Sequence, residues 1–223
     1  MAQLDRSADR IGARLAARQF GVVTRRQLLA AGVSPAEVRH RLGCGALIRV
    51  HRGVYRAGHN APSTDASYLA AVYACGSGAI LGGLAAAWRY GTVKGPAPPP
   101  EVIAPGEHHV TGVRARRGRL DPLDHAVWKG IPTLTVPATL VDLAARLGVA
   151  GLARACHEAG VRFGTTPRHV DAVLGRRPNA KGAANLGLVM TGDERVALSR
   201  LESSFQPPRG RETWSTAAGP TRA

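Results

Sequence analysis

The apolar positions of the first sixty residues follow helical spacing, and turn residues separate the segments that carry them. Ile11 and Leu15 lie four residues apart, which predicts a helix over residues 7–19 capped by the serine at its first position. Val38 and Leu42 repeat that spacing and mark the buried face of a later helix. This pattern predicts a small helical core at the start of the chain.

Two helix-start motifs follow the first helix, Thr24-Arg25-Arg26-Gln27 and Ser34-Pro35-Ala36-Glu37. In each, the first hydroxyl can accept the N–H of the fourth residue while the fourth side chain reaches back to the cap. Proline in the second motif stands at the first helical position, where no N–H is needed. Gly32 and Gly43 lie where each helix should end in a left-handed residue. Two short helices joined by a tight turn predict a helix-turn-helix.

Residues 47–56 alternate between apolar and polar side chains around an Arg-Gly turn, which predicts a β-hairpin. We expect Ile48 and Val50 on one side of this hairpin and its basic residues on the other, exposed side. The basic side should consist of Arg49, His51 and Arg56. A hairpin directly after a helix-turn-helix predicts a winged helix-turn-helix.

The remainder of the chain predicts a second, mixed domain. Residues 66–88 carry no charge and could span a bilayer, but Ala and Gly dominate them, so two helices over 65–75 and 79–90 with a Gly-Ser-Gly turn are the better interpretation. Short strands are predicted over 101–104, 113–116 and 126–128. Further helices are predicted from Pro137, over 149–161, from Thr166-Pro167 to about Leu174, and over 193–205.

These elements predict an α+β chain. A winged helix-turn-helix should occupy residues 1–60, and a mixed, mainly helical α/β domain residues 61–192. Residues 193–205 should form the last helix. The tail over 206–223 is polar and rich in Pro, Gly and Thr, so we expect it to be disordered.

The charge balance favours a polyanionic partner, nucleic acid first and a membrane surface second. The chain has 30 Lys and Arg against 15 Asp and Glu, a formal charge of +15. A GC-rich genome would explain why arginine replaces lysine, but not why acidic residues are scarce. Residues 1–60 contain eleven arginines and three acidic residues, a charge of +8, so the excess is concentrated there. A second basic cluster is either a solvated strand face or an extension of the nucleic-acid surface, and it consists of Arg114, Arg116, Arg117 and Arg119.

The helix that begins at Pro35 offers the residues best placed to meet base edges. Ala36, Arg39 and His40 point away from its buried stripe, whereas Arg41 lies nearer the seam. An arginine can bind guanine N7 and O6 together, and an alanine can meet a thymine methyl group. Basic residues at the start of the preceding helix and in the hairpin suit phosphate. The predicted DNA-binding residues are Arg25, Arg26, Ser34, Ala36, Arg39, His40, Arg41, Arg49, His51, Arg52 and Arg56.

No catalytic motif occurs in the sequence: GxSxG, a Walker loop and HExxH are all missing. Glu107-His108-His109 lacks further ligands at metal-binding spacing and is better explained as a loop. The three cysteines, Cys44, Cys75 and Cys156, are far apart and indicate neither zinc nor a disulfide framework. The first ten residues lack the apolar core of a signal peptide. We therefore predict a non-enzymatic, cytoplasmic protein without a metal or cofactor.

Two blocks of sequence resemble a known family. The first includes the Arg-Gly-Val-Tyr hairpin and consists of Gln19–Thr24, Gln27–Leu28, Ala31–Val33 and Leu47–Tyr55. The second is GIPTLTVPATLVDLA, residues 130–144. Together they resemble the actinobacterial AbiEi-type antitoxins of toxin–antitoxin systems, over roughly residues 10–205.

The resemblance implies that the winged helix binds operator DNA and represses the protein's own promoter. It also implies that the second domain neutralises a nucleotidyltransferase-type toxin. In many such proteins a restriction-endonuclease-like domain follows, similar to very-short-patch-repair nucleases, and Ser199–Phe205 looks like its first helix, with Glu202 at the acidic position.

The chain departs from the family pattern at two places. After Phe205 neither strands nor metal-binding carboxylates follow, which suggests a truncation or a frameshift, and Gly82-Gly83 stands where relatives tend to have Ser-His. Two alternatives to a DNA-binding antitoxin remain open. One is an inactive relic of an endonuclease-like protein, and the other is a toxin-binding module that needs no DNA.

Overall fold

A computed structural model describes residues 2–57, 63–119 and 121–191, with side chains from residue 10 onward. The helix predicted over 193–205, with Glu202, and the tail predicted over 206–223 lie outside these residues. The described chain is mixed α+β, which confirms the predicted fold class. No described helix combines the length and the apolar character that a membrane crossing requires.

The first part of the described chain packs three helices against a three-stranded antiparallel sheet with strand order β1-β3-β2. Its element order agrees with the predicted pair of short helices followed by a β-hairpin. The elements are α1 (Ala2–Ala17), β1 (Val22–Thr24), α2 (Arg25–Ala30), α3 (Pro35–Gly43), β2 (Leu47–His51) and β3 (Val54–Ala57).

Two predicted helix boundaries in this part are wrong. The first helix begins at Ala2, so Ser7 lies inside it and is not its N-cap, because the residues before Ser7 also favour a helix. Gly32 has the predicted left-handed backbone, with φ of 89°. Gly43 instead belongs to α3, and Gly45 takes the positive φ, 78°, after the helix has ended.

The second part is a five-stranded mixed sheet with helices packed on it. The strand order is β6-β5-β4-β8-β7, with β5–β6 and β4–β8 parallel and the other pairs antiparallel. A 3-10 turn, Pro122–Asp124, precedes β7. The elements are α4 (Thr64–Ala74), β4 (Ile80–Leu81), α5 (Gly83–Tyr90), β5 (Glu101–Ala104), β6 (Arg114–Arg117), β7 (His125–Trp128), β8 (Ile131–Leu134), α6 (Val136–Leu143), α7 (Val149–Phe163), α8 (Pro167–Arg176) and α9 (Ala183–Met190).

The sequence pattern missed three of these elements. The helix predicted over 79–90 begins only at Gly83, because β4 occupies its first turn as a buried strand between β5 and β8. Neither β8 nor α9 is predicted. Both strands are short and buried, so they lack the alternation that identifies a half-exposed strand.

The two parts share a core through the two faces of the first sheet. Val23 and Tyr55 face the helix-turn-helix and pack with its apolar residues. Val22 and Val54 point the other way and lie in one buried cluster with Leu69 of α4 and residues of the second sheet. The first sheet is therefore covered on both faces.

Candidate nucleic-acid interface

Both predicted capping boxes are present, and they set the starts of α2 and α3. Thr24 Oγ1 accepts the Gln27 N–H at 3.1 Å, and Gln27 Oε1 accepts the Thr24 N–H at 2.8 Å. Ser34 Oγ accepts the Glu37 N–H at 3.2 Å, and Glu37 Oε2 accepts the Ser34 N–H at 2.7 Å. That last hydrogen bond, from a backbone donor, holds the pKa of Glu37 below its ordinary value. The Ser34 hydroxyl, a predicted DNA contact, is therefore already engaged as a helix cap.

One face of α3 is buried and the opposite face is open to solvent. Val38 is 2% exposed and lies in the cluster that also contains Tyr55. Ala36, Arg39 and His40 are exposed, as the helical spacing predicts. Their contact with DNA bases stays a prediction.

Arg41 does not share the exposed face of α3. Its residue is 5% exposed, and Nη1 donates to the Glu37 carbonyl oxygen at 3.3 Å. The buried guanidinium therefore bonds the backbone of its own helix, one turn earlier, and is not open to solvent. We therefore remove Arg41 from the candidate contact surface.

The register of the hairpin corrects the predicted distribution of its side chains. Ile48 pairs with Arg56 and Arg49 pairs with Tyr55, and directly opposed residues point to the same face of a sheet. Arg56 therefore lies on the side of Ile48 and not on the side of Arg49. The cause is a bulge between Arg49 and His51, which shifts the pairing by one residue. The predicted division into a basic and an apolar side is therefore wrong, because Arg56 shares the side of Ile48. Ile48 is also not fully buried, since it is 36% exposed.

His51 is partly buried next to the hairpin turn. Burial lowers the pKa of its imidazole below the ordinary value, so the ring is mainly neutral at pH 7. A contact between His51 and phosphate would therefore depend on a hydrogen bond rather than on charge.

Three of the predicted phosphate contacts meet at one cleft. The Arg25 N–H donates to the Gly53 carbonyl oxygen at 2.8 Å, which holds the hairpin turn against the start of α2. Arg25, Arg26 and Arg52 line the resulting cleft, whose volume is about 860 Å³. All three arginines are exposed.

The opposite wall of this cleft comes from residues that sequence reasoning missed. Tyr73, Gly76 and Ser77 line it from the end of α4 and the turn that follows. The Gly-Ser-Gly sequence predicts a turn, but nothing in its local pattern points to the hairpin. The Gly-Ser-Gly turn and the hairpin come together only because α4 packs on the first sheet.

The second basic cluster is divided between internal ion pairs and solvent. Arg114 Nη1 lies 3.7 Å from Glu101 Oε1, and Arg116 bonds the Asp142 carboxylate. The Glu101 and Asp142 side chains are only 5% and 11% exposed. The other two arginines of the cluster are exposed. Arg114 and Arg116 therefore compensate the two acids while staying exposed themselves, and the other two arginines have no acidic partner among the described residues.

Glu101 and Asp142 meet at the start of α5, although they are far apart in sequence. Asp142 Oδ2 accepts the Gly83 N–H at 2.9 Å, and Glu101 is also paired with Arg146. A Cβ atom on Gly83 would collide with the Glu101 carboxylate. Each carboxylate is bound by an arginine, so the charges of both acids are compensated inside the fold.

Among the side chains that the structure describes, no three His, Cys, Asp or Glu residues are grouped closely enough to hold a metal ion. Glu107, His108 and His109 lie on the loop between β5 and β6. Cys44 is exposed, whereas Cys75 and Cys156 are buried.

Comparison with known proteins singles out the same part of the chain. Residues 13–58 match the model of a family described as "Transcriptional regulator, AbiEi antitoxin". No curated protein matches the chain. The matched segment runs from within α1 to the end of the hairpin and contains α2, α3 and the cleft arginines. The segment that carries the candidate interface is thus similar to the transcriptional regulators of the AbiEi antitoxin family.

Proposed function

We propose that the protein is a DNA-binding transcriptional regulator of the AbiEi antitoxin type. It binds an operator with the exposed face of α3 and clamps the DNA backbone with the arginines of α2 and the hairpin. The observation that carries this proposal is the concentration of exposed basic residues on the segment that matches the regulator family. Its action is binding and not catalysis, and binding to an operator places it in the cytoplasm.

Two kinds of contact contribute differently to this binding. Arginines against phosphate supply affinity that is independent of sequence and falls with salt, by a slope of about 0.9 in log K per phosphate contact. Side chains at base edges supply discrimination, about 1–3 kcal/mol for a good bidentate pair. Arg39 belongs to the second kind and Arg25 to the first.

The experiment compares Arg39→Ala with Arg25→Ala on the protein's own upstream DNA and on a duplex of random sequence. We expect Arg39→Ala to reduce the ratio of the two affinities by about ten- to a hundredfold. Arg25→Ala should weaken binding to both duplexes alike and lower the salt slope by about one. Gel-shift titrations in which Arg39→Ala leaves the affinity ratio unchanged would contradict the assignment of α3.

A second function, neutralisation of a nucleotidyltransferase-type toxin, is favoured by an exposed apolar edge. β7 is one of the two outer strands of the second sheet, and Val127 on it is 72% exposed. Leu123, just before it, is 71% exposed. An edge strand with bare apolar side chains is suited to pairing with a partner protein, and the antitoxin match supplies the class of partner.

Co-purification with a nucleotidyltransferase encoded by a neighbouring gene tests this second function. Val127→Asp should abolish the complex, because it places a charge in an apolar contact. Val161→Asp is the matched control, since Val161 is also 72% exposed but lies on α7. If the complex survives Val127→Asp, or if both variants lose it, the edge strand is not the docking site.

A further inference from the structure

We propose that the Gly-Ser-Gly turn of residues 76–78, in the second part of the chain, is itself a DNA contact. It forms one wall of the cleft whose other wall carries Arg25, Arg26 and Arg52, and the cleft binds a phosphate group of the DNA backbone. This inference rests on the proposed DNA-binding function and extends it beyond the helix-turn-helix and the hairpin.

The charge of the cleft fits an anion. Three arginines line it, and none of its lining residues is acidic. None of the three arginines forms an ion pair with a described residue, so their positive charge is uncompensated inside the protein. Phosphate oxygens are the groups that a cluster of arginines binds most readily on DNA.

The turn adds hydrogen-bond donors to this charge. Gly76 and Gly78 have φ of 83° and 76°, a left-handed backbone that leaves Ser77 exposed between them. The turn is held by hydrogen bonds from Gly76 N–H to the Tyr73 carbonyl oxygen at 3.2 Å and from Ala79 N–H to the Gly76 carbonyl oxygen at 3.4 Å. The Ser77 N–H and hydroxyl make no hydrogen bond with any described residue. Both are donors of the kind that bind phosphate oxygen.

The two walls are joined before any DNA arrives. The Tyr73 hydroxyl donates to Gln19 Oε1 at 2.6 Å, and Gln27 Nε2 donates to the same oxygen at 3.0 Å. Gln19 therefore links the end of α4 to the capping box of α2. A cleft held in this way loses little conformational entropy when it binds a phosphate, which favours affinity.

The test places a negative or a positive charge at position 77 in the full-length protein. Ser77→Asp and Ser77→Arg are compared with Ser67→Asp and Ser67→Arg, because Ser67 is an exposed serine of α4 that does not line the cleft. The probe is a fluorescein-labelled duplex of about 30 base pairs and random sequence, titrated by anisotropy over a series of NaCl concentrations. Thermal unfolding of each variant shows that it is folded.

We expect Ser77→Asp to weaken binding about tenfold relative to Ser67→Asp and to lower the salt slope by about one. Ser77→Arg should strengthen binding relative to Ser67→Arg. Equal affinities for the two Asp variants and for the two Arg variants would overturn this inference while leaving the DNA-binding function intact. A wild-type protein that does not bind the duplex at all would instead overturn the proposed function, and this inference with it.

Discussion

Burial separates the three cysteines by reactivity. Cys44 is exposed after the end of α3. Burial raises the pKa of Cys75, and it raises the pKa of Cys156 to about 12. A raised pKa lowers the fraction of the thiol that is present as the reactive thiolate at a given pH. Burial also prevents a thiol reagent in solution from reaching the sulfur atom.

We therefore expect a disulfide reagent such as DTNB, at about pH 8, to modify Cys44 rapidly in the native protein and to spare the other two thiols. All three should react after unfolding in guanidinium chloride. Cys44→Ser should abolish the rapid native reaction. Rapid modification of a second thiol in the native state would contradict the described burial of Cys75 and Cys156.

Gly182 occupies a position where any side chain would be both strained and crowded. It caps α9 with φ of 79°, and a Cβ atom there would collide with the Ala144 carbonyl group. We expect Gly182→Ala to lower the free energy of unfolding by about 2 kcal/mol or more, from strain and from the collision.

The control for this prediction is Gly187→Ala in the same helix. A Cβ atom on Gly187 meets no atom within 4 Å, so alanine should raise the free energy of unfolding by up to about 1 kcal/mol through helix propensity. Urea denaturation measures both changes. If both variants changed the free energy of unfolding in the same direction, the described packing of α9 against the end of α6 would be contradicted.

At the scale of elements, the helix-turn-helix depends on its two caps. Each hydroxyl accepts one N–H that would otherwise have no partner at the helix start. We expect Ser34→Ala and Thr24→Ala each to lower the free energy of unfolding by about 1 kcal/mol in chemical denaturation.

Thr111→Ala is the control for the caps. Thr111 is exposed in the turn before β6, outside any helix cap that the structure describes, so its change should stay within about 0.5 kcal/mol of the wild type. If the three variants are equally stable, the caps do not determine the starts of α2 and α3.

At the scale of the whole molecule, Arg89 joins the two parts of the chain. Its side chain is 4% exposed, and Nε donates to Asp65 at 2.7 Å. The guanidinium also donates to the carbonyl oxygens of Trp128 and Lys129, and it lies 5.9 Å from the centre of the Phe20 ring. Phe20 and Lys129 have positive φ, 53° and 45°, which is unusual for residues other than glycine. Strained backbone on both sides of one buried arginine marks this contact as a structural joint.

We expect Arg89→Met to lower the free energy of unfolding by about 3 kcal/mol, because it leaves Asp65 and two carbonyl groups without their donor. Amide hydrogen exchange should accelerate in β1 and β3, because their residues Val22 and Val54 lie in the buried cluster that connects the two parts. Arg154→Met is the control, since Arg154 is exposed on α7. If Arg89→Met and Arg154→Met have the same free energy of unfolding, the contacts of Arg89 do not contribute to stability.

The sequence determined the features that depend on residues within about four positions of one another. The two capping boxes, the exposed side of α3 with Ala36, Arg39 and His40, and the α+β composition all follow from such local patterns, and the structure confirms them. Local hydrogen bonds and helical periodicity carry this information, because no distant partner is needed to form them.

Tertiary structure alone decided the features that depend on distant partners. The bulge that turns Arg56 toward Ile48, the burial of Arg41, and the short buried strand β4 are set by neighbours that no local pattern reveals. The cleft is the clearest case, since Ser77 and the hairpin turn line the same cleft only because α4 packs on the first sheet. The sequence placed the arginines on the surface, and packing decided which of them face a common partner.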